Sequence, residues 1–458
     1  MIIMMKNQLY LIVGAVVIVV AAAAIAVTFN SSDDSDDTER IDFEYQSEVN
    51  LAIFGNANGD DYLNTDDVQV IQDIIDGAIQ YDPKKYSFAD TDANGVIDSK
   101  DIDLLNKILN GESCTMYYWG AHAEVESIDF PLASDCKIGT RHMYPIDALI
   151  ILGEYDNVVA TSNNTILNSI STDGLRYPGM GTKIVNVGSP WDGGEGGCEA
   201  ALNAGVNVWI DSGSSRTYND YTSLASAAGI DLQVICLNIT GYNANSPSQY
   251  GGLLMLGYMF QKTDEAYSYY NWLMGIADTI STKVKALGTE WTYITPMETE
   301  SKTEVSEDTK FHNGGMFGDV ATIDMTGMTS VNVVSDGGCP TVSVESIISL
   351  DPNVIVIIGF ETSDKTKAEL QSNFDKYVET YSGTNAYKNG NIYLVNYYNI
   401  ATYSSVTFLW QLAALIWPDL FDEETGQQYL EYYYENFSMY DASALTDMGN
   451  AYVYTFSS

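Results

Sequence analysis

The chain has 458 residues, with 62 Asp and Glu against 20 Lys and Arg and a formal charge of -42. So acidic a surface repels nucleic acid phosphates and anionic lipid headgroups, which excludes a nucleic acid partner. The length allows two or three domains with a large core, and 33 Tyr and 7 Trp supply flat, amphipathic contact surface.

The run LYLIVGAVVIVVAAAAIAVTF, Leu9 to Phe29, carries no charge. At about 1.5 Å per residue, a helix of this length crosses a hydrocarbon core of about 30 Å. Residues 1–29 therefore read as an N-terminal transmembrane helix. Small residues at Ala24 to Ala26 would also suit a cleaved signal, but the run exceeds a usual signal core, which favours a retained anchor. Lys6 precedes it and SSDDSDDTE follows, so the positive-inside tendency places the bulk of the chain outside the cell. Residues 30–47 read as an acidic, self-repelling linker.

Residues 48–112 carry a repeated pattern. In DTDANGVIDSKD, oxygen-bearing side chains stand at places one, three, five, nine and twelve, as Asp90, Asp92, Asn94, Asp98 and Asp101, with Gly95 sixth. Alternating oxygens around a tight turn suit a hard cation of six or more oxygens, with the carbonyl of Val96 contributing at the seventh place. NANGDDYLNTDD repeats the register with Asn56, Asn58, Asp60, Asn64 and Asp67, and Tyr62 at the seventh place. Each loop runs into a short apolar helix that stops at Gly77 or Gly111. Two such loop-helix units resemble a type I dockerin, an EF-hand-like module whose twelfth-place ligand is Asp. The resemblance implies two calcium sites, and a cohesin-bearing surface protein as partner through Thr65 with Asp66 and Ser99 with Lys100. Asn56 replaces the usual leading Asp, and Asp61 takes the Gly place, where the turn strains a residue with a side chain. The second loop is therefore expected to bind more tightly.

Cys114, Cys136, Cys198, Cys236 and Cys339 lack CxxC spacing, so zinc is not indicated. Outside the cell one or two disulfides could form, but small buried apolar roles account for these residues equally well.

Beyond Gly111 short apolar runs alternate with helical stretches, the pattern of an α/β architecture. Strands are expected at 157–161, 183–188, 206–211, 232–238, 331–335, 353–359 and 391–396, most of them apolar throughout, as in a parallel sheet covered on both faces. Between the two groups lies TDEAYSYYNWLMGIADTISTKVKAL, residues 263–287, with acids at its start and Gly288 as its stop. Two Rossmann-like lobes, 113–262 and 288–458, joined by one long bridging helix are implied.

ALIILGEYDNVVAT, KIVNVGSP, EAALNAGVNVWID, LASAAGIDLQVICLN, VSVESIISLDPNVIVIIG, AYKNGNIYLVN and LAALIWPDLF follow one another over more than three hundred residues. In that order they resemble the substrate-binding protein of an iron-siderophore, haem or cobalamin ABC importer. The resemblance implies a metal chelate as ligand, a permease and ATPase as partners, and Glu199 and Glu345 as the carboxylates that dock onto the permease. Ligands of two-lobed binders sit where the carboxyl ends of strands face one another. Loops of that description carry Arg141, His142, Tyr144, Trp191, Asp192 and Tyr242 in the first lobe, and His312, Met316, Phe360, Tyr397 and Tyr398 in the second. His312 lies in the glycine-rich FHNGGMFGD, where a chelate could approach closely.

An enzyme is not indicated. The three histidines, His122, His142 and His312, lie near no GxSxG, HExxH or CxxC. SPWDGGEGGCE lacks the GK[ST] ending of a phosphate loop, and its acids would repel phosphate. The competing reading is a cell-surface interaction protein that uses its dockerin-like module, with the lobes secondary.

Overall fold

The structure, a computed structural model, describes residues 26–27, 43–46, 49–162, 177, 180–188, 195–211, 215–239, 247–296, 308–310, 322–331, 341–359, 374–375, 378–396, 403–439 and 454–455. The chain divides into two units, the main body of the first being Met1–Pro131 and the second comprising Leu132–Ala244 and Ser248–Ser458.

In the first unit, β1 (Ala26–Val27) pairs antiparallel with β2 (Phe43–Glu44). These two residues of β1 belong to the expected membrane span but are extended rather than helical, because their backbone groups pair with another strand. The rest of that span lies outside the described residues, and among the described residues no helix is long and apolar enough to cross a membrane.

The two loops lead into α1 (Thr65–Ile75) and α2 (Ser99–Leu109), each opened by a capping box. Asn64 caps α1 and Asp98 caps α2, while Asp67 and Asp101 reach back to the cap backbone, so orphan N–H groups at both starts are satisfied. Gly111, at φ +68, ends α2 in a Schellman turn, its N–H bonded to Ile108 O and that of Glu112 to Lys107 O. Ile71, Leu105 and Ile108 face inward, onto a core that includes Leu51, Phe54, Phe88 and Trp119.

A hairpin of β3 (Cys114–Trp119) and β4 (Val125–Phe130), paired without a bulge, completes the unit. Phe54 N–H bonds to Tyr117 O and Trp119 N–H to Ala52 O, so the segment entering the first loop lies along β3 like a third strand. Phe43 packs within 5.0 Å of Phe54 and 4.8 Å of Trp119, ring centre to ring centre. The unit thus continues through Pro131, past the expected boundary at 112.

The second unit holds two parallel sheets. One is ordered β7-β6-β5-β8-β9, from β5 (Ile138–Thr140), β6 (Val158–Thr161), β7 (Val185–Asn186), β8 (Val208–Asp211) and β9 (Gln233–Cys236), all parallel. Its first strand stands at the centre and the order reverses there, the arrangement that opens a crevice at the carboxyl ends. Gly139 in β5 is dictated by packing: a Cβ there would lie 2.5 Å from Trp209 Cε3, and Trp209 itself stacks on Tyr221 at 4.0 Å.

The other sheet contains β10 (Thr292–Ile294), β12 (Thr329–Ser330), β14 (Val354–Gly359), β15 (Ile392–Asn396) and β16 (Tyr454–Thr455), in the order β12-β10-β14-β15-β16. Only the β15-β16 pair is antiparallel. A separate antiparallel ribbon joins β11 (Asp308–Lys310) to β13 (Thr341–Ser343).

Five expected strands appear with shortened ends, and two need correction. In 183–188 only Val185–Asn186 is extended, and this edge pair is exposed, while Lys183 closes a helical turn. The strand expected at 331–335 ends instead at Ser330, where Tyr293 fixes the parallel pairing; 332–335 lie outside the described residues.

The connecting helix is 23 residues long, Thr263–Lys285, with Asp264 and Glu265 in its first turn and Lys283 and Lys285 in its last, both favoured by the helix dipole. It buries Ala266, Tyr269, Tyr270, Leu273, Ile276, Ala277, Ile280 and Val284, the stripe a helical period predicts. Tyr269 donates its hydroxyl to Tyr403 O, and Tyr403 in turn donates to Gln249 O at 2.8 Å. Tyr403 is therefore an interior hydroxyl.

Candidate functional sites

In the first unit the second loop draws three carboxylates together. Oxygens of Asp90, Asp92 and Asp101 all lie within 4.8 Å of one another, although 9 and 11 residues separate Asp101 from the other two in sequence. The loop's backbone shapes this. Asp90 accepts from Asn94 N at 3.1 Å and Gly95 N at 2.6 Å, while Asp101 accepts from Asp92 N at 3.2 Å and Asp98 N at 2.7 Å. Gly95 takes φ +87, the left-handed region open to glycine. Burial, with the neighbouring Asp101 and Asp92 charges, pushes the Asp90 carboxyl up to about 7, and burial pushes Asp101 up to about 6. Crowded, half-desolvated carboxylates of this kind are stabilised as anions by a cation placed between them. The three carboxylates would fit a hard divalent ion; of the other loop groups, Asp98 accepts from Lys100 N and Lys100 Nζ, and Asn94 Oδ1 accepts from Val96 N.

The first loop is built differently. Asp61 does not take the positive φ of Gly95, so the strain expected of it is absent; only Gly59, at φ +72, turns left-handed. Asn56 donates through Nδ2 to Leu51 O and Asp60 O, both at 2.7 Å, and Asn58 donates through Nδ2 to Asp60 Oδ2 at 2.9 Å. Asp67 accepts from Asn58 N and Asn64 N, and burial raises its carboxyl to about 6. Tyr62 N–H bonds to Asp60 Oδ1, and the Tyr62 ring is exposed.

In the second unit a buried polar layer lines the carboxyl ends of the central strands. Thr140, closing β5, and Thr161, closing β6, share a hydroxyl hydrogen bond of 2.9 Å. Arg141 Nη1 lies 3.5 Å from Asp211 Oδ1 at the end of β8, both side chains buried. His142 caps α3 (Met143–Ile151) without a side-chain cap bond, and its ring sits 5.5 Å from that of buried Tyr144. Burial and the Arg141 charge push the His142 imidazole down to about 3, so it is neutral at physiological pH.

The structure therefore brings Arg141, His142 and Tyr144 together and adds Asp211, Thr140 and Thr161. The carboxyl-end rule applied to VNVWID would have found Asp211; the threonines have no sequence signal beyond lying at strand ends. Trp191, Asp192, Tyr242, His312, Met316, Phe360, Tyr397 and Tyr398 lie outside the described residues. Cys136, Cys198 and Cys236 are buried and Cys114 is half-buried.

Glu345 is exposed in the first turn of the helix Val344–Leu350, behind a Ser343 cap. Glu199 does not open its helix. That helix, Glu195–Asn203, starts a turn earlier, and Glu199 is exposed within it. Gly197 in that helix serves packing, since a Cβ there would lie 2.6 Å from Val187 O.

No protein-family model matches the chain, and no curated protein matches it in sequence. Solved structures match it in fold. FepB, a TroA-like periplasmic binding protein from Veillonella parvula, is 13% identical and covers 71% of this chain and 97% of its own, with a TM-score of 0.54. A periplasmic solute binding protein from Veillonella parvula DSM 2008 is 15% identical over 73% of this chain and 96% of its own, with a TM-score of 0.52. CeuE from Helicobacter pylori, solved as a Ni-His complex, is 13% identical over 73% of this chain and 99% of its own, with a TM-score of 0.51. The fold is that of the TroA-like periplasmic binding proteins.

Proposed function

We propose that the chain is an extracellular solute-binding protein of an ABC importer, anchored by its N-terminal segment, which holds a metal chelate of the iron-siderophore, haem or cobalamin class and delivers it to a permease. The observation that carries this reading is the pair of parallel sheets linked by a single 23-residue helix, matched over 97% of the length of a TroA-like binding protein. Binding and not catalysis suits the described site. Arg141 and Asp211 neutralise each other, and His142 is held neutral, which leaves no activated nucleophile or poised base there. Arg141, His142 and Tyr144 would meet the chelate from the first lobe, with Trp191, Tyr242, His312, Phe360 and Tyr397 as further contacts. Glu345 and Glu199 would meet the permease.

The same reading gives the first unit a divalent cation, calcium, in the loop of Asp90, Asp92 and Asp101, with a structural role. The ion would hold α2 against the core and present Ser99 and Lys100 to a cohesin-like partner.

Thermal unfolding of the purified protein against ferric siderophores, haem and cobalamins tests the cargo. A ligand at a hundred times its Kd stabilises the fold by about 2.7 kcal/mol, a visible rise in Tm. A rise with one member names the cargo; no rise with any of them removes the uptake reading.

A further inference from the structure

The two loops share a register but not a charge. At places one, three, five, nine and twelve, the second carries four acids, Asp90, Asp92, Asp98 and Asp101, and the first carries two, Asp60 and Asp67. Calcium affinity follows ligand charge and site rigidity, so this difference alone separates them.

Geometry separates them further. In the second loop the leading carboxylate accepts from the backbone and leaves its charge facing two other carboxylates. In the first, the partners of Asn56 are both carbonyl oxygens, so the atom facing them is the amide nitrogen, and its two N–H groups supply the positive charge that a cation would bring. Asn58 does the same for the Asp60 carboxylate. Asn56 is 1% exposed, and its bond to Leu51 O ties the loop to the strand-like segment beside β3.

We propose that the module takes a single calcium ion, in the second loop, and that the first loop is a cation-independent clasp closed by the amide groups of Asn56 and Asn58. The inference rests on the calcium reading of the second loop. Its consequence is a module with one responsive half: removing calcium releases residues 90–109, while residues 56–75 stay fixed to the hairpin core. One atom argues the other way, because Asn56 Oδ1 is buried without a hydrogen-bond partner and would accept a cation. Stoichiometry decides between them.

Calcium titration of the metal-free full chain, by calorimetry and native mass spectrometry, should give one ion per chain. Asp90→Asn with Asp101→Asn should abolish binding, and Asn56→Asp with Asn58→Asp should raise the count to two. Hydrogen exchange with and without calcium should change protection at 90–109 and leave 56–75 unchanged, a readout independent of whether the variants fold. Two ions in the unaltered chain, one ion retained by the Asp90/Asp101 double variant, or equal protection changes in both loops would overturn the clasp. No ion at all would instead remove the calcium reading beneath it.

Discussion

His142 links the first-lobe site to acid stability. Its folded form stays neutral down to about pH 3, whereas an unfolded histidine takes a proton below about pH 6.5. Below that value the unfolded state binds more protons, so the stability this group contributes is complete above about pH 6.5 and is lost as pH falls toward 3. The slope approaches about 1.4 kcal/mol per pH unit for one proton. Comparing the wild type with His142→Gln by urea unfolding at pH 7 and pH 5 should show the variant gaining about 2 kcal/mol relative to wild type on acidification. Parallel losses in the two proteins would mean that His142 titrates alike folded and unfolded. The motif reading placed His142 at the carboxyl end of a strand; its neutrality was not legible, because it depends on burial and on an Arg141 that is held 3.5 Å from Asp211, 70 residues away.

Among elements, two glycines with the same local freedom do opposite work. Gly139 lies in β5 beneath Trp209, so Gly139→Ala forces the sheet or the indole to move and should cost about 1–3 kcal/mol. Gly275 lies exposed in the middle of the bridging helix with nothing within 4 Å of a new Cβ, so Gly275→Ala should stabilise by about 0.5–1 kcal/mol. Chemical denaturation of both variants checks the pair; equal effects would contradict the packing assigned to Gly139. Strands β14 and β15 were legible because burial on both faces turns VIVIIG and IYLVN into unbroken apolar runs. Three-residue strands such as β5 and β10 were not, since IGT and TYI are too short to carry a period. The hairpin was missed for another reason: β4 buries Glu126, held by the Tyr118 hydroxyl at 2.6 Å, where alternation predicts an apolar side chain.

For the whole molecule, delivery and binding should be separable. Glu345→Arg reverses an exposed charge distant in sequence from the described polar layer, so uptake by cells that carry the importer should fall while ligand Kd in the purified protein stays unchanged. A matching loss of affinity would place Glu345 in ligand binding. The sequence by itself determined what depends on local order: the register of the two acidic loops, the capped helices after them, the apolar strands and the 263–285 bridge, because each is written in side chains a few residues apart. Only the tertiary structure decided that the β3-β4 hairpin completes the first unit, that Asp101 reaches Asp90 while Asn56 turns its amide onto carbonyls, and that Arg141 meets Asp211. Those outcomes depend on which distant groups are brought within hydrogen-bond reach, and a repeat with the same spacing does not carry that information.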